Sequence, residues 1–278
     1  MKGFIATTAL VTSVLALSPA LAQEEKKERE LSTDRPDKTE SPYTVPTGRF
    51  QIETDIVNLT QDNSTVTDPV SGASLEATSR EYAIAASNLK YGLANDLDLQ
   101  VVVETHKIAE TEAGGQTVRV SAFGDTTVRL KWNAFGNDGG DVALALMPYA
   151  KLPTNGGALG NKSVEGGVIV PIGFSLPHEW NAGVMAVISK DRNADDKDDH
   201  TTFVSSFTFS HDIAGELGGY VEYYSESSTE PGAMWVATVD TGLTYKFTPE
   251  LQGDIGCNFG VTEAAPDLNP FVGVSARF

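Results

Sequence analysis

One cysteine, Cys257, in 278 residues excludes an intramolecular disulfide and a cysteine-built metal cluster. Cys257 is expected to be a membrane-facing or packing residue. Histidine is nearly as scarce: His106, His178, His200 and His211 are scattered, with no spacing that suggests a zinc site. Beyond the leader, no segment approaches the roughly 20 consecutive apolar residues of a spanning helix. Gly-x-Ser-x-Gly is missing, so no nucleophile elbow can be argued. The pairs Gly156-Gly157 and Gly166-Gly167 are not followed by Gly-Lys-Ser/Thr, so no phosphate loop is present. Bases are outnumbered, with 20 Lys and Arg against 38 Asp and Glu and a formal charge of -18, which argues against nucleic acid as a partner. Asp191, Asp195, Asp196, Asp198 and Asp199 crowd one stretch, but their spacing does not match a calcium loop and they are expected in a solvated outer loop. No cofactor, resident metal or catalytic residue is assigned.

What is present begins with residues 1–22. Lys2, an apolar stretch through Leu17, Pro19 and the small-residue site Ala20-Leu21-Ala22 have the layout of a cleaved secretory signal, leaving a chain that starts at Gln23. Residues 23–48 are charged and then proline-rich, with Pro36, Pro42 and Pro46, so they form neither a helix nor a central strand.

From residue 49 onward the period is two. Trp235, Ala237, Val239, Thr241, Leu243, Tyr245 and Phe247 share one face of a strand while Thr238, Asp240, Thr244 and Lys246 share the other. Aromatics near each end of the apolar face match the girdles of a membrane barrel. Strands are predicted at 49–60, 78–90, 97–108, 124–135, 142–152, 165–174, 180–190, 201–211, 216–226, 234–247, 251–259 and 269–278. Within 78–90 the pattern allows either Tyr82 and Ile84 or Leu89 and Tyr91 to face lipid. Short turns at 136–140, 212–215 and 248–250 alternate with longer connections at 62–77, 153–164 and 191–200, and the even strand count puts both barrel ends on the periplasmic side. A water-soluble barrel would turn its apolar face inward, whereas here the opposite face carries mid-strand charges. The chain closes on Asn269-Pro-Phe-Val-Gly-Val-Ser-Ala-Arg-Phe278, with Pro270, Val272, Val274, Ala276 and Phe278 on one face, as the last strand of a bacterial outer-membrane barrel does. The expected fold is therefore all-β: a single antiparallel up-and-down transmembrane barrel over residues 49–278 in a Gram-negative outer membrane. Its expected partners are outer-membrane lipid, lipopolysaccharide and the barrel-assembly machinery that reads Phe278.

Residues 33–53 resemble the opening of the outer-membrane proteins grouped as the MetA-pathway of phenol degradation family. The positions carrying the resemblance are Thr33, Asp34, Arg35, Pro36, Asp37, Thr39, Glu40, Ser41, Pro46, Gly48, Arg49, Phe50, Gln51 and Glu53. It continues in Tyr91-Gly92-Leu93, in Phe123-Gly124-Asp125 leading to Arg129, Lys131 and Trp132, and in Leu152-Pro153-Thr154. The resemblance implies a transporter-like, porin-like channel for aromatic or other small organic solutes.

The residues of that segment carry both signs beside prolines that limit backbone freedom. The strip is either a plug or constriction folded into the barrel mouth, or a tethering leader or partner-docking peptide. The face opposite the apolar one supplies lumen candidates: Glu53, Asp55, Asp98, Gln100, Glu104, His106, Asp125, Arg129, Lys131, Lys151, Glu222, Asp240, Lys246, Asp254 and Arg277. Tyr149, Tyr220 and Tyr224 lie near it. With about twelve strands the interior is narrow, giving either a charged selective pore or a salt-bridged, non-conducting structural or adhesion barrel with cation-binding outer loops. A membrane-embedded hydrolase using Ser205 and His211 is a third reading, without an orienting group.

Overall fold

The computed structural model describes residues 29–67, 72–155, 157, 159–193 and 197–278. The leader assigned to residues 1–22 lies outside them, as do Asp195 and Asp196. Fifteen strands appear in chain order. The first seven are β1 (Phe50–Thr67), β2 (Ser74–Ile84), β3 (Ser87–Ala94), β4 (Leu97–Val103), β5 (His106–Ala113), β6 (Gln116–Ala122) and β7 (Thr126–Phe135). The other eight are β8 (Val142–Leu152), β9 (Glu165–Ser175), β10 (Trp180–Arg192), β11 (Asp199–Ala214), β12 (Leu217–Ser228), β13 (Val236–Thr248), β14 (Leu251–Gly260) and β15 (Leu268–Arg277).

They form a closed barrel of 12 antiparallel strands, because three of the barrel strands are each broken in two. β2 and β3 are separated at Ala85, where φ is 54°, β4 and β5 at Glu104 and Thr105, and β6 and β7 at residues 123–125. The break at Ala85 shifts the side-chain parity by one. Tyr82 and Ile84 therefore face outward before it, and Leu89 and Tyr91 face outward after it, so both alternatives open in the sequence are realised. Below the breaks β1, β3, β4, β7 and β8 continue the barrel wall; above them β1, β2, β5 and β6 rise as a sheet extension that ends on β6. This extension corrects two expectations. The predicted long loop at 62–77 is mostly strand, since β1 runs to Thr67 and β2 starts at Ser74, and His106 is exposed on β5 instead of lining the lumen. Beyond the hydrocarbon a strand no longer needs an apolar face, so the lipid-based pattern stops marking it.

Closure joins the two ends of the barrel. Gln51 stands opposite Arg277 and Glu53 opposite Ser275, and Phe50 and Phe278 exchange backbone hydrogen bonds of 3.2 and 2.7 Å. That seam is obligatory, because an open edge in hydrocarbon would leave a row of backbone groups without partners. At the same end, hydrogen bonds from Arg277 hold the Glu250 carboxyl below the usual carboxylate range.

Burial is inverted relative to a soluble protein. The largest fully buried side chains include Lys90, Lys131, Gln51, Gln100, Glu53, Asp98 and Asp240, while Phe207, Val221, Leu243, Tyr245, Ile255 and Phe259 are exposed on the outer wall. Trp132, Trp180, Tyr245 and Phe247 lie near the end that holds both barrel termini, and Trp235 and Phe259 lie near the other. No helix among the described residues is long and apolar enough to cross a membrane, and a closed barrel is the architecture that crosses with strands. Replacing the lipid-facing Val221 by arginine is expected to lower unfolding stability by about 2–4 kcal/mol, measured by guanidinium titration of the protein folded into lipid vesicles.

Candidate functional site

Residues 33–46 lie inside the barrel. Their partners are spread around the wall, on β1, β3, β4, β7, β10, β11, β12, β13 and β14, which only a segment threaded through the lumen can reach. Prolines keep it out of helix and sheet, and it bends back on itself, with Asp34 accepting a hydrogen bond from the Ser41 backbone N–H at 3.0 Å. Where the segment leaves the lumen, Thr47 bridges to Gly92, and any Cβ at Gly92 would sit 2.1 Å from the Pro46 carbonyl oxygen. Only glycine leaves room for that passage.

Each charge of the segment except Asp37 has a wall partner of opposite sign. Asp34 accepts from Lys131 Nζ at 2.6 Å and pairs with Lys90 Nζ at 2.5 Å, while its backbone N–H donates to Glu53 at 2.9 Å. Lys90 also contacts Glu53. Arg35 reaches Asp55 at 2.5 Å and Asp254 at 2.7 Å, with its guanidinium lying against Gly273, where a Cβ would be 2.2 Å from Nη2. Lys38 Nζ lies 3.3 Å from Asp240 and 4.4 Å from the Tyr224 ring centroid, a cation–π arrangement. Glu222 accepts from the backbone N–H groups of Lys38 and Thr39 at 2.9 and 2.8 Å and from the Thr39 hydroxyl at 2.5 Å. Glu40 accepts from Arg129 at 2.6 Å, and Asp98 accepts from the Val45 N–H at 3.0 Å.

These contacts follow the charge layout of the wall. Lys90, Arg129 and Lys131 stand on β3 and β7, facing Asp34 and Glu40. Asp55, Glu222, Asp240 and Asp254 stand on β1, β12, β13 and β14, facing Arg35 and Lys38. Asp34, Arg35, Lys38 and Glu40 thus meet opposite signs on the two sides of the lumen.

A third sector is apolar. Met147, Ile169 and Met185 on β8, β9 and β10 cluster with Tyr149, Val187 and Val204, all on the inner face. Met185 touches the segment, receiving the Glu40 N–H at its sulfur at 3.5 Å. Tyr149 and Val187 lie further along β8 and β10, towards the long connections. Two small cavities of about 220 and 210 Å³ flank the segment nearer the chain ends, sharing Thr33, Asp37, Asn181 and Ser210. A larger one of about 520 Å³ opens at the mouth among Arg29, Leu31, Lys246, Phe247 and Arg277.

Of the lumen candidates, Glu53, Asp55, Asp98, Arg129, Lys131, Glu222, Asp240 and Asp254 come together around the segment. Gln100 is buried beside them and donates to Asp98 at 3.1 Å. Arg277 holds the segment's entry through the carbonyls of Arg29 and Glu30, and Lys246 lines the mouth. Three others serve elsewhere. Asp125 accepts the backbone N–H groups of Asn155 and Asn161 and orders the β8–β9 connection, Lys151 pairs with Glu165 at its base, and Glu104 pairs with Lys107 at the break between β4 and β5. Gly48, Arg49 and Phe50 belong to the closing seam, with Arg49 Nε donating to the Phe278 carbonyl at 2.6 Å. Lys90 and the apolar sector were not singled out in the sequence. Ser205 and His211 lie six residues apart on one strand, roughly 20 Å, and form no dyad.

The family model described as "Putative MetA-pathway of phenol degradation" matches residues 33–278, from the threaded segment to the closing strand. Among solved structures, the COG4313 outer membrane channel from Pseudomonas putida F1 superposes with a TM-score of 0.60 at 12% identity, covering 86% of this chain and 98% of that one. The translocator domain of the autotransporter NalP from Neisseria meningitidis gives a TM-score of 0.49 at 10% identity, covering 84% and 90%. No curated protein matches. At 12% identity the likeness to the COG4313 channel shows the barrel fold.

The wall and segment charges are buried together, so removing one partner strands the others. Lys90→Met is expected to cost about 3–5 kcal/mol, because Asp34 and Glu53 lose a shared cation; guanidinium unfolding in lipid vesicles reads this directly.

Proposed function

Because the chain belongs to the MetA-pathway of phenol degradation family, we propose that it is an outer-membrane channel for a small organic solute, closed in this state by its own N-terminal segment. The observation that carries this reading is the apolar sector inside the barrel. A barrel built only to hold a salt-bridged interior has no use for Met147, Ile169, Met185 and Val204 on its inner face, since lumens are ordinarily polar. An aromatic or aliphatic body gains by resting on such a wall, and methionine adapts its shape to flat and irregular solutes.

The segment supports a gate more than a fixed core. It is joined to the wall by charge pairs and hydrogen bonds to carboxylates, which water replaces once the segment moves, and it is tethered at one end through β1. Its withdrawal exposes a lumen with a basic side, an acidic side and an apolar side. A second reading, a non-conducting structural barrel, draws on the same pairing, since every segment charge except Asp37 has a wall partner of opposite sign.

Deleting residues 31–46 separates the two. Single-channel conductance in planar bilayers is expected to rise about fivefold or more, as rows of wall charge are opened to ions. Unchanged conductance of a folded deletion variant, checked by its heat-sensitive gel mobility, would select the non-conducting reading.

A further inference from the structure

We propose that Arg129 is a carboxylate-recognising residue of the lumen, and that the solute is an organic monocarboxylate whose anion takes the place now held by Glu40. This deepens the channel reading above and rests on it. Three observations converge on Arg129.

The first is an incomplete pair. Arg129 Nη1 donates to Glu40 Oε1 at 2.6 Å, but Arg129 Nε and Glu40 Oε2 are both shielded from solvent and neither finds a protein partner. A guanidinium presents two parallel N–H donors to a carboxylate, and the two-bond arrangement is the strong one. Glu40 is tied by its backbone to a segment fixed elsewhere by Asp34, Arg35 and Thr39, and it reaches only one donor. A free carboxylate has no such tether and can shift onto two parallel donors, including the Nε–Nη2 edge that Glu40 leaves unused.

The second is position. Arg129 stands directly across from Tyr149 on β8, and Tyr149 packs on the Met147–Ile169–Met185 cluster. Charge recognition and apolar surface are therefore contiguous, as a molecule with a carboxylate on an aromatic or aliphatic body requires. The acidic side offers a counterpart in Lys38 over Tyr224 beside Asp240, but Asp240 is flanked in the sheet by Glu222 and Asn258 and has no apolar sector next to it.

The third is continuity. Lys131 lies two residues beyond Arg129 on the same inner face of β7, with Lys90 close by, and both hold Asp34. Glu40 and Asp34 thus occupy successive cationic stations along the lumen. An incoming anion that displaces Glu40 at the first meets Asp34 at the next, so binding of solute weakens the attachment of the segment.

The test uses the full chain in liposomes and the initial influx of three probes of matched size: benzoate, benzyl alcohol and benzylamine. Wild type is expected to favour benzoate over benzyl alcohol. The benzoate-to-alcohol ratio is expected to fall about tenfold in Arg129→Gln, to be intermediate in Arg129→Lys, which keeps the charge but not the fork, and to rise about threefold in Glu40→Gln. Should Arg129→Gln not fold, the opposite shifts of Arg129→Lys and Glu40→Gln carry the same decision. An unchanged ratio across these variants, or benzylamine entering fastest, overturns the carboxylate assignment and leaves the channel reading standing. Influx of none of the three, in wild type and Glu40→Gln alike, overturns both.

Discussion

A charge buried at membrane depth must have a partner, and most of this structure follows from that demand. Lys90, Lys131, Glu53, Asp98 and Asp240 are withdrawn from solvent inside the barrel, where an isolated ion is strongly disfavoured. The wall neutralises itself only in part: Lys90 pairs with Glu53 and Asp98 stands opposite Lys131, while Asp55, Asp240 and Asp254 take their cations from the segment. Glu222 and Asp240 stand directly opposite one another on adjacent strands, a like-charged pair that is unfavourable without help. The N-terminal segment supplies that help, with Lys38 at Asp240 and two backbone N–H groups at Glu222. Segment and wall are thus two halves of one electrostatic unit.

The parts of this unit were legible in the sequence to different depths. Twelve strands and their closure could be read because lipid on one side and charge on the other impose a period of two, as on β13, where Val239, Leu243 and Tyr245 alternate with Asp240 and Lys246. The role of residues 33–46 was visible as both signs set among prolines, which left plug and leader equally open. Lys90 escaped notice because the break at Ala85 reverses parity within the predicted strand 78–90, so no single face could be assigned to it. The apolar sector escaped for a different reason. On β8 and β9 lipid-facing and lumen-facing positions are both apolar, as in Ala143 to Met147 and Val168 to Ile172, and alternation vanishes where both faces want the same chemistry.

Glycine marks where backbone and side chain come closest, and it does so on both sides of the segment. Gly92 lets the chain leave the lumen against β3, and Gly273 makes room on β15 for the Arg35 guanidinium between Asp55 and Asp254. Both residues sit beside the seam joining β1 to β15, so the path of the segment and the closing of the barrel are specified together. The motif from Thr33 to Glu53 accordingly runs without interruption from ion-paired segment to first strand.

Holding the segment by ion pairs rather than by apolar packing has an energetic consequence. Buried charge pairs fix register sharply, yet much of their attraction is consumed by desolvation, so the net gain over water-exposed charges is small. Apolar packing of the same area would hold more tightly and specify less. A segment paired through Asp34, Arg35, Lys38 and Glu40 therefore sits in one register while remaining within reach of displacement by any group that offers the wall the same charges. Under the proposed gating, the tether at Thr47 and Gly48 would keep a displaced segment at the barrel mouth, so that re-entry would be intramolecular and independent of protein concentration. If the segment is the proposed gate, ion pairing is the choice of interaction that reconciles specific closure with easy release, which are ordinarily opposed.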